Sequence, residues 1–281
     1  VSATHLENRL VHYEVIGRRG QPIIFLHSWL GSWRYWLPTM DSISDRHRSY
    51  AIDFWGFGES DRHESLFSIS EYVTMLRDFM DKIGLARASV VGHGLGGMVA
   101  IRAAAEYPDR FLRIAAVATP GQGSSLQQSM KSGGLSRIFG RGLSDVWTRQ
   151  LRQLNVDYPQ VMQEIIQDTE QISEGVVRRV MDSIIESDVR QDLGRLTMPL
   201  LAVNGQRDTI VTNDISRYLS DPDRQEIFQQ AISLPKSNHF PFLDQPNVFN
   251  RMLVDYLNLP LDGPIQLKTE WRRRVNQLEY I

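Results

Sequence analysis

Short apolar runs and amphipathic stretches take turns along this chain, and the switch between their periods outlines its elements. Positions 10–16 (LVHYEVI) alternate loosely between apolar and polar, as a half-buried strand does, and Gly17-Arg18-Arg19-Gly20 ends the run. Pro22-Ile23-Ile24-Phe25-Leu26 is continuously apolar, the signature of a strand covered on both faces. Tyr50-Ala51-Ile52-Asp53 is a second such run, closed by the turn glycines Gly56 and Gly58. Tyr72, Leu76, Phe79 and Ile83 then fall on one face of a 3.6-residue period. Ser68, with Glu71 three residues on, predicts that this helix starts with a capping box. Residues 88–91 read as a strand that bends into a helix ending at Glu106, just before Pro108. Strands follow at 114–118, 200–205 and 226–234, and a helix at 246–257. Residues 1–9 are polar and receive no element.

Between residues 121 and 188 the alternation stops. Val161, Ile165, Ile166, Val176, Val177, Val180 and Ile184 lie at helical spacing, as do Val146, Trp147, Leu151 and Leu154 before them, and no buried strand interrupts them. The expected organisation is an α/β core of residues 1–120 and 189–262, a helical lid inserted at 121–188, and a helical tail at 263–281. The tail carries Trp271-Arg272-Arg273-Arg274, which reads as a solvated basic face around one packing tryptophan. Strands alternating with helices predict the fold class: α/β, with a mostly parallel central sheet and helices on both faces. In such a sheet ligands bind beyond the C-terminal ends of the strands, so the loops after each strand carry the chemistry.

Composition narrows the choice of chemistry. The chain has 281 residues, 42% apolar and 23% charged, the balance of an ordinary globular domain. Its 33 acids and 31 bases leave a net charge of −2, which gives no reason to expect nucleic acid or an anionic membrane as partner. Cysteine is absent, so disulfides, thiolate metal sites and a cysteine nucleophile are excluded, and a reducing compartment, the cytoplasm, is expected. No apolar run approaches the ~18 residues of a membrane span. Residues 1–9 contain no signal-peptide core, and a start without Met reads as a processed or trimmed end. The seven histidines show no metal-ligand spacing. A G-x-G-x-x-G is missing from the first βα turn and G-x-x-x-x-G-K-[ST] from the whole chain, so neither a metal nor a nucleotide cofactor is expected.

The loops after the strands read His27-Ser28-Trp29-Leu30-Gly31-Ser32, then Asp53-Phe54-Trp55-Gly56-Phe57-Gly58-Glu59-Ser60, then Gly92-His93-Gly94-Leu95-Gly96. Gly205-Gln206-Arg207-Asp208-Thr209-Ile210-Val211 and Ser237-Asn238-His239-Phe240-Pro241-Phe242 follow. In this order and spacing the chain resembles an α/β-hydrolase-fold protein of the lid-bearing serine hydrolase type over residues 6–260. The third loop is the G-x-S-x-G nucleophile elbow of that family with glycine in place of its serine. The resemblance implies Gly94 as the nucleophile position, Asp208 as the acid and His239 as the base. It implies the main-chain N–H groups of Trp29 and Leu95 as the oxyanion hole. Its substrate pocket would draw on His27, Ser28, Trp33, Trp147 and Phe240, with Trp36, Phe54 and Trp55 as further aromatic candidates. His27 reads first as a hydrogen-bonding residue of its loop and His93 as a packing and polar-network residue. Asp53 and Ser60 read as groups that tie down the glycine turn. Besides Gly94, Ser28 departs from the family pattern, which more often has glycine after the histidine.

The implied ligand is a small apolar carbonyl compound, and the missing hydroxyl leaves three readings open. The first is a hydrolase of an ester, thioester or carbon–carbon bond, inactive or strongly impaired because residue 94 is glycine, whether by drift or by design. The second is a non-catalytic receptor or sensor that keeps the pocket. The third is an enzyme in which His239 and Asp208 act on water or on a substrate proton without a covalent step.

Overall fold

The computed structural model describes residues 2–62, 67–126, 148, 151–152, 159–211, 214–219, 228–262 and 265. Strands β1 (Ser2–Leu6), β2 (Arg9–Ile16), β3 (Pro22–Leu26), β4 (Arg48–Ile52), β5 (Ala88–His93), β6 (Phe111–Val117), β7 (Leu200–Gly205) and β8 (Gln229–Leu234) form one sheet. The sheet has eight strands in the order β1-β2-β4-β3-β5-β6-β7-β8. β1 pairs antiparallel with β2, and β2 antiparallel with β4; all the remaining pairs are parallel. The predicted mostly parallel α/β sheet is therefore present. Strands β5 and β7 are buried along their whole length, as strands covered on both faces are.

Helix α1 (Leu37–Ile43) follows β3, and α2 (Ile69–Lys82) follows β4. The hydroxyl of Ser68 accepts the Glu71 N–H at 3.2 Å, so α2 starts at the predicted cap. Tyr72, Leu76 and Phe79 on its inner face are fully or almost fully buried, each contributing about 1.5–3 kcal/mol relative to an exposed side chain. Helix α3 (Leu95–Glu106) links β5 to β6. Further on come α4 (Pro159–Glu170), α5 (Glu174–Ile185), α6 (Arg190–Leu193), α7 (Asp214–Leu219), α8 (Pro241–Asp244) and α9 (Pro246–Leu257), the last with the predicted bounds.

Strand β1 went unpredicted. Its sequence, SATHL, is polar and only alternately covered, because it is an outer strand with one face toward water. The reversal into β2 puts Glu7 and Asn8 at φ 48° and 65°, the positive pair that a tight hairpin turn needs. Strand β6 starts at Phe111 rather than 114, and β8 at Gln229; residues 226 and 227 lie outside the described residues.

Between β6 and β7 the described residues add no strand to the sheet and hold helices α4 and α5, with an isolated bridge between Gln122 and Asp188 drawing the two ends of the segment together. Val176, Val177, Val180, Met181 and Ile184 form the buried face of α5, and Ser173 caps it by accepting the Val176 N–H. Helix α4 is tied to the loop after β3: Asp168 accepts from the Ser32 hydroxyl and from Arg34, and Thr169 Oγ1 donates to the Leu30 carbonyl at 3.0 Å. Residues 146, 147, 154 and, except for Ile265, the tail 263–281 lie outside the described residues.

Asp53, directly after β4, is fully buried and organises the loops of this sheet end. It accepts from His12 Nδ1 at 2.7 Å, from Trp33 N at 2.7 Å and from Glu59 N at 3.1 Å. Ser60 Oγ donates to the Asp53 carbonyl and accepts the His12 N–H, closing the glycine turn onto β2 as predicted. Burial disfavours a charge on His12, but the Asp53 hydrogen bond and the carboxylates of Asp53, Glu59 and Glu14 outweigh it and hold its pKa above 6.5. A group whose pKa rises on folding stabilises fully below its unfolded value and loses that contribution as pH climbs through the folded one. His27, His47 and His93 are shifted downward, chiefly by burial, so their linkage falls below that window. Melting temperature should therefore decline as pH rises above about 6.5, and His12→Gln should flatten this decline. A thermal melt series across that range checks it, and an unchanged slope in the variant would refute the assignment.

Candidate active site

Strand β5 ends at His93 and α3 begins at Leu95, so the whole turn from strand to helix falls on Gly94. Its φ of 52° and ψ of −112° are open to glycine and strained for any residue with a β-carbon. The bend is fixed from both sides: Gly94 N donates to the Val117 carbonyl at 2.9 Å, and the Gly94 carbonyl accepts the Gly97 and Met98 N–H groups. Gly96 lets the helix start press on β3, since a β-carbon there would collide with the carbonyls of Leu26 and His27. The turn thus sits at the predicted elbow, and glycine occupies its apex.

Asp208 follows β7 and His239 follows β8, and the adjacency of these strands brings the two together. Asp208 Oδ1 accepts the N–H groups of Ile210 at 2.8 Å and Val211 at 3.1 Å, which fixes the carboxylate plane. Its Oδ2 lies 2.8 Å from His239 Nδ1, and both side chains are 1% exposed. With Nδ1–H donated to the carboxylate, Nε2 is the nitrogen that carries the lone pair.

The loop around His239 is held by Asp244, to which the sequence analysis assigned no role, and by His93, which it read as a packing and polar-network residue. Asp244 accepts from Ser237 Oγ at 2.9 Å and from Asn238 N at 2.7 Å, and its burial raises its pKa despite those hydrogen bonds. The sequence signal was an acid shortly after the histidine, at the end of the short helix α8. His93 Nε2 lies 3.0 Å from the His239 carbonyl, and the two rings are 4.7 Å apart. Burial, reinforced by the neighbouring His239, pushes the His93 pKa well down, so His93 stays neutral and donates to that carbonyl.

Ser28, Trp29, Leu95 and Phe240 gather around this centre. Leu95 N–H points to Ser28 Oγ at 3.4 Å, and the rings of Trp29 and Phe240 stand 6.0 and 5.2 Å from that of His239. His27 and Trp33 are placed elsewhere. His27 accepts the Phe54 N–H through Nε2 at 3.0 Å and reaches the Ser28 carbonyl through Nδ1 at 2.7 Å, so both its nitrogens serve the loop backbone. Trp33 packs on His12, with ring centroids 6.1 Å apart, and under Arg34. Trp36 stacks on Phe242 in the core, and Phe54 packs on Tyr72. Trp147 lies outside the described residues.

A side chain at 94 would meet two obstacles. The backbone strain is worth about 1–3 kcal/mol. A β-carbon would also land on Ser28 Oγ, inside any distance real β-carbons keep, with Ser28 Cβ at 3.1 Å. Gly94→Ser should therefore lower the melting temperature, by roughly 2–4 °C per kcal/mol in a protein of this size. Combined with Ser28→Gly it should be non-additive, the double variant being more stable than the two single losses predict. Thermal denaturation of the three variants decides this, and strict additivity would remove the steric half of the argument.

The alpha/beta hydrolase fold family matches residues 21–246 of this chain. A pimeloyl-[acyl-carrier protein] methyl ester esterase of Vibrio cholerae is 24% identical over 268 residues, covering 88% of this chain and 97% of that protein. The dihydrolipoyllysine-residue acetyltransferase component of the acetoin cleaving system of Cupriavidus necator is 30% identical over 136 residues. That match covers 48% of this chain, and the chain spans only 36% of the relative's length. Among solved structures, the enol-lactonase of Burkholderia xenovorans LB400 superposes with a TM-score of 0.76 at 21% identity, covering 92% of this chain and 100% of that one. With more than half of its length matched, and with the sheet order and loop positions described above, the chain belongs to the alpha/beta hydrolase fold family.

Proposed function

We propose that this protein hydrolyses small apolar acyl compounds, esters or lactones first, with His239 as general base and Asp208 as the group that orients it. The single observation that carries the reading is the buried 2.8 Å pair of Asp208 and His239 beside a fully formed elbow. A buried imidazole fixed by a carboxylate is arranged to take a proton from a hydroxyl and return it to a leaving group. The relatives support the substrate class, since one is named as a methyl ester esterase and another as an enol-lactonase. Helices α4 and α5 are read as the cover of the site, because Asp168 and Thr169 hold α4 against the loop that carries Ser28 and Trp29.

Residue 94 itself supplies no nucleophile. In another serine hydrolase, loss of the nucleophile costs ~10⁶ in kcat and leaves ~10³–10⁴ over water. The rate is accordingly expected to be low beside a relative with an elbow serine. A receptor role is the second reading, and the glycine at 94 is the observation that favours it.

Hydrolysis of short p-nitrophenyl esters and of simple lactones separates the two. On the hydrolase reading, His239→Ala and Asp208→Asn each lower kcat/KM by roughly 10²–10⁴-fold without loss of folding. Acyl ligands that bind in calorimetry but are turned over at the rate of buffer alone, in the parent and both variants, would establish the receptor instead.

A further inference from the structure

Ser28 and Gly94 are the two positions at which the chain departs from the pattern its other loops follow, and the fold puts them in contact. A β-carbon on Gly94 would fall on the Ser28 hydroxyl. Its next neighbours would be Ser28 Cβ at 3.1 Å and Trp29 Cζ3 at 3.5 Å. The space in which a residue-94 side chain would begin is thus filled by the Ser28 hydroxyl and walled by the Trp29 indole. That indole is the ring that stands 6.0 Å from His239. The slot and His239 thus share the Trp29 indole as a neighbour; the Ser28 hydroxyl that fills the slot makes no hydrogen bond to His239 Nε2 as it stands and reaches it by turning about its Cα–Cβ bond.

The surroundings of Ser28 are those of a held group rather than a loose one. It is fully buried. Its carbonyl is clamped by His27 Nδ1 at 2.7 Å, and the other nitrogen of that ring is engaged by Phe54 N. Its Oγ receives the N–H of Leu95, the first residue of the 12-residue helix α3, whose positive end favours a developing oxygen anion. Positive φ among described non-glycine residues is confined to Glu7, Asn8 and Ala118, so Ser28 delivers its hydroxyl from unstrained backbone.

We infer that Ser28 is the nucleophile of this site, its hydroxyl standing where the elbow serine would stand. The inference rests on the hydrolase reading and adds to it the group that reading lacks. His239 Nε2 takes the Ser28 Oγ proton as Oγ bonds to the acyl carbon, and the carbonyl π pair moves onto oxygen. The Leu95 N–H, released from Oγ, turns to that oxyanion. Its collapse breaks the bond to the leaving alkoxide, which takes the proton from His239. Water, deprotonated by His239, then attacks the acyl-Ser28 ester, and the second collapse returns the proton to Ser28 Oγ. The sum is ester plus water to acid plus alcohol.

The test uses the full chain, Ser28→Ala, His239→Ala and the double variant Ser28→Gly/Gly94→Ser. Each is treated with a fluorophosphonate and separately assayed on a short p-nitrophenyl ester. The expected result is a phosphonyl adduct on the Ser28 peptide of the parent, absent from Ser28→Ala, with ester hydrolysis lost at least about a hundredfold in both single variants. The adduct in the parent decides the matter even if Ser28→Ala folds poorly. Hydrolysis that survives Ser28→Ala but not His239→Ala would overturn Ser28 and leave the general-base reading standing. A silent, unlabelled parent beside an active double variant would likewise reduce Ser28 to space filling while keeping the dyad. Silence in all four proteins would sink both readings together.

Discussion

The buried carboxylate of Asp53 is the constraint on which this end of the sheet depends. Parallel strands deliver their loops to one side, but nothing in the strands themselves fixes how those loops lie against each other. Asp53 does so by accepting at once from the β2 side chain of His12, from the Trp33 amide after β3 and from the Glu59 amide of its own turn. A buried carboxylate costs several kcal/mol unless its lone pairs are taken up, so each donor is held as firmly as the charge is. The loop of residues 27–33 is therefore pinned at its far end by Asp53 and at its near end by His27. Between those two pins stand Ser28 and Trp29. Their position against the elbow is a consequence of charge burial some distance away.

The same loop also couples the site to the helices between β6 and β7. Asp168 and Thr169 of α4 reach Ser32, Arg34 and the Leu30 carbonyl, all within a few residues of Ser28. Burial raises the pKa of Asp168, opposed by Ser32 and Arg34. Arg34 also pairs with Glu59 at 3.2 Å and Glu164 at 3.2 Å. One arginine thus joins the glycine turn, the loop after β3 and α4. A movement of α4 would be felt first at the residues that border the slot.

What the sequence disclosed and what it concealed divide along the range of the interactions. The strand runs, the Ser68 cap, the helix at 246–257 and the order of the loops are local in cause, since pattern and capping act within a few residues. The pairing of Asp208 with His239 was legible only through resemblance, because it depends on β7 and β8 being neighbours. Strand β1 escaped because an outer strand keeps polar residues and its signal lies in the two positive-φ turn residues, neither of them glycine. His27, read first as a hydrogen-bonding residue of its loop, does bond Phe54 N and Ser28 O, whereas Trp33, a pocket candidate from its place in the loop, packs on His12. The contact of Ser28 with Gly94 had no local signal, since the two are brought together by the parallel pairing of β3 with β5.

That contact changes how the glycine is to be understood. Taken alone, Gly94 relieves a turn that would be strained for any residue with a β-carbon, and on the hydrolase reading it leaves the elbow without a nucleophile. Taken with Ser28, it is one half of an exchange, because the two side chains compete for one volume and a serine at both places would not fit without movement. Glycine at 94 makes room, and serine at 28 fills it. The backbone donor at Leu95 stays in place through the exchange, as does the dyad of Asp208 and His239, because neither depends on the residue-94 side chain. On the proposal for Ser28, the turn at Gly94 keeps the α3 N-terminus aimed at the hydroxyl in the slot. A side chain without a hydroxyl at 28 would leave the Leu95 N–H without this acceptor. The hydroxyl at 28, hydrogen-bonded to the first amide of α3 and flanked by the Trp29 ring that also neighbours His239, is the feature on which the proposal for Ser28 rests.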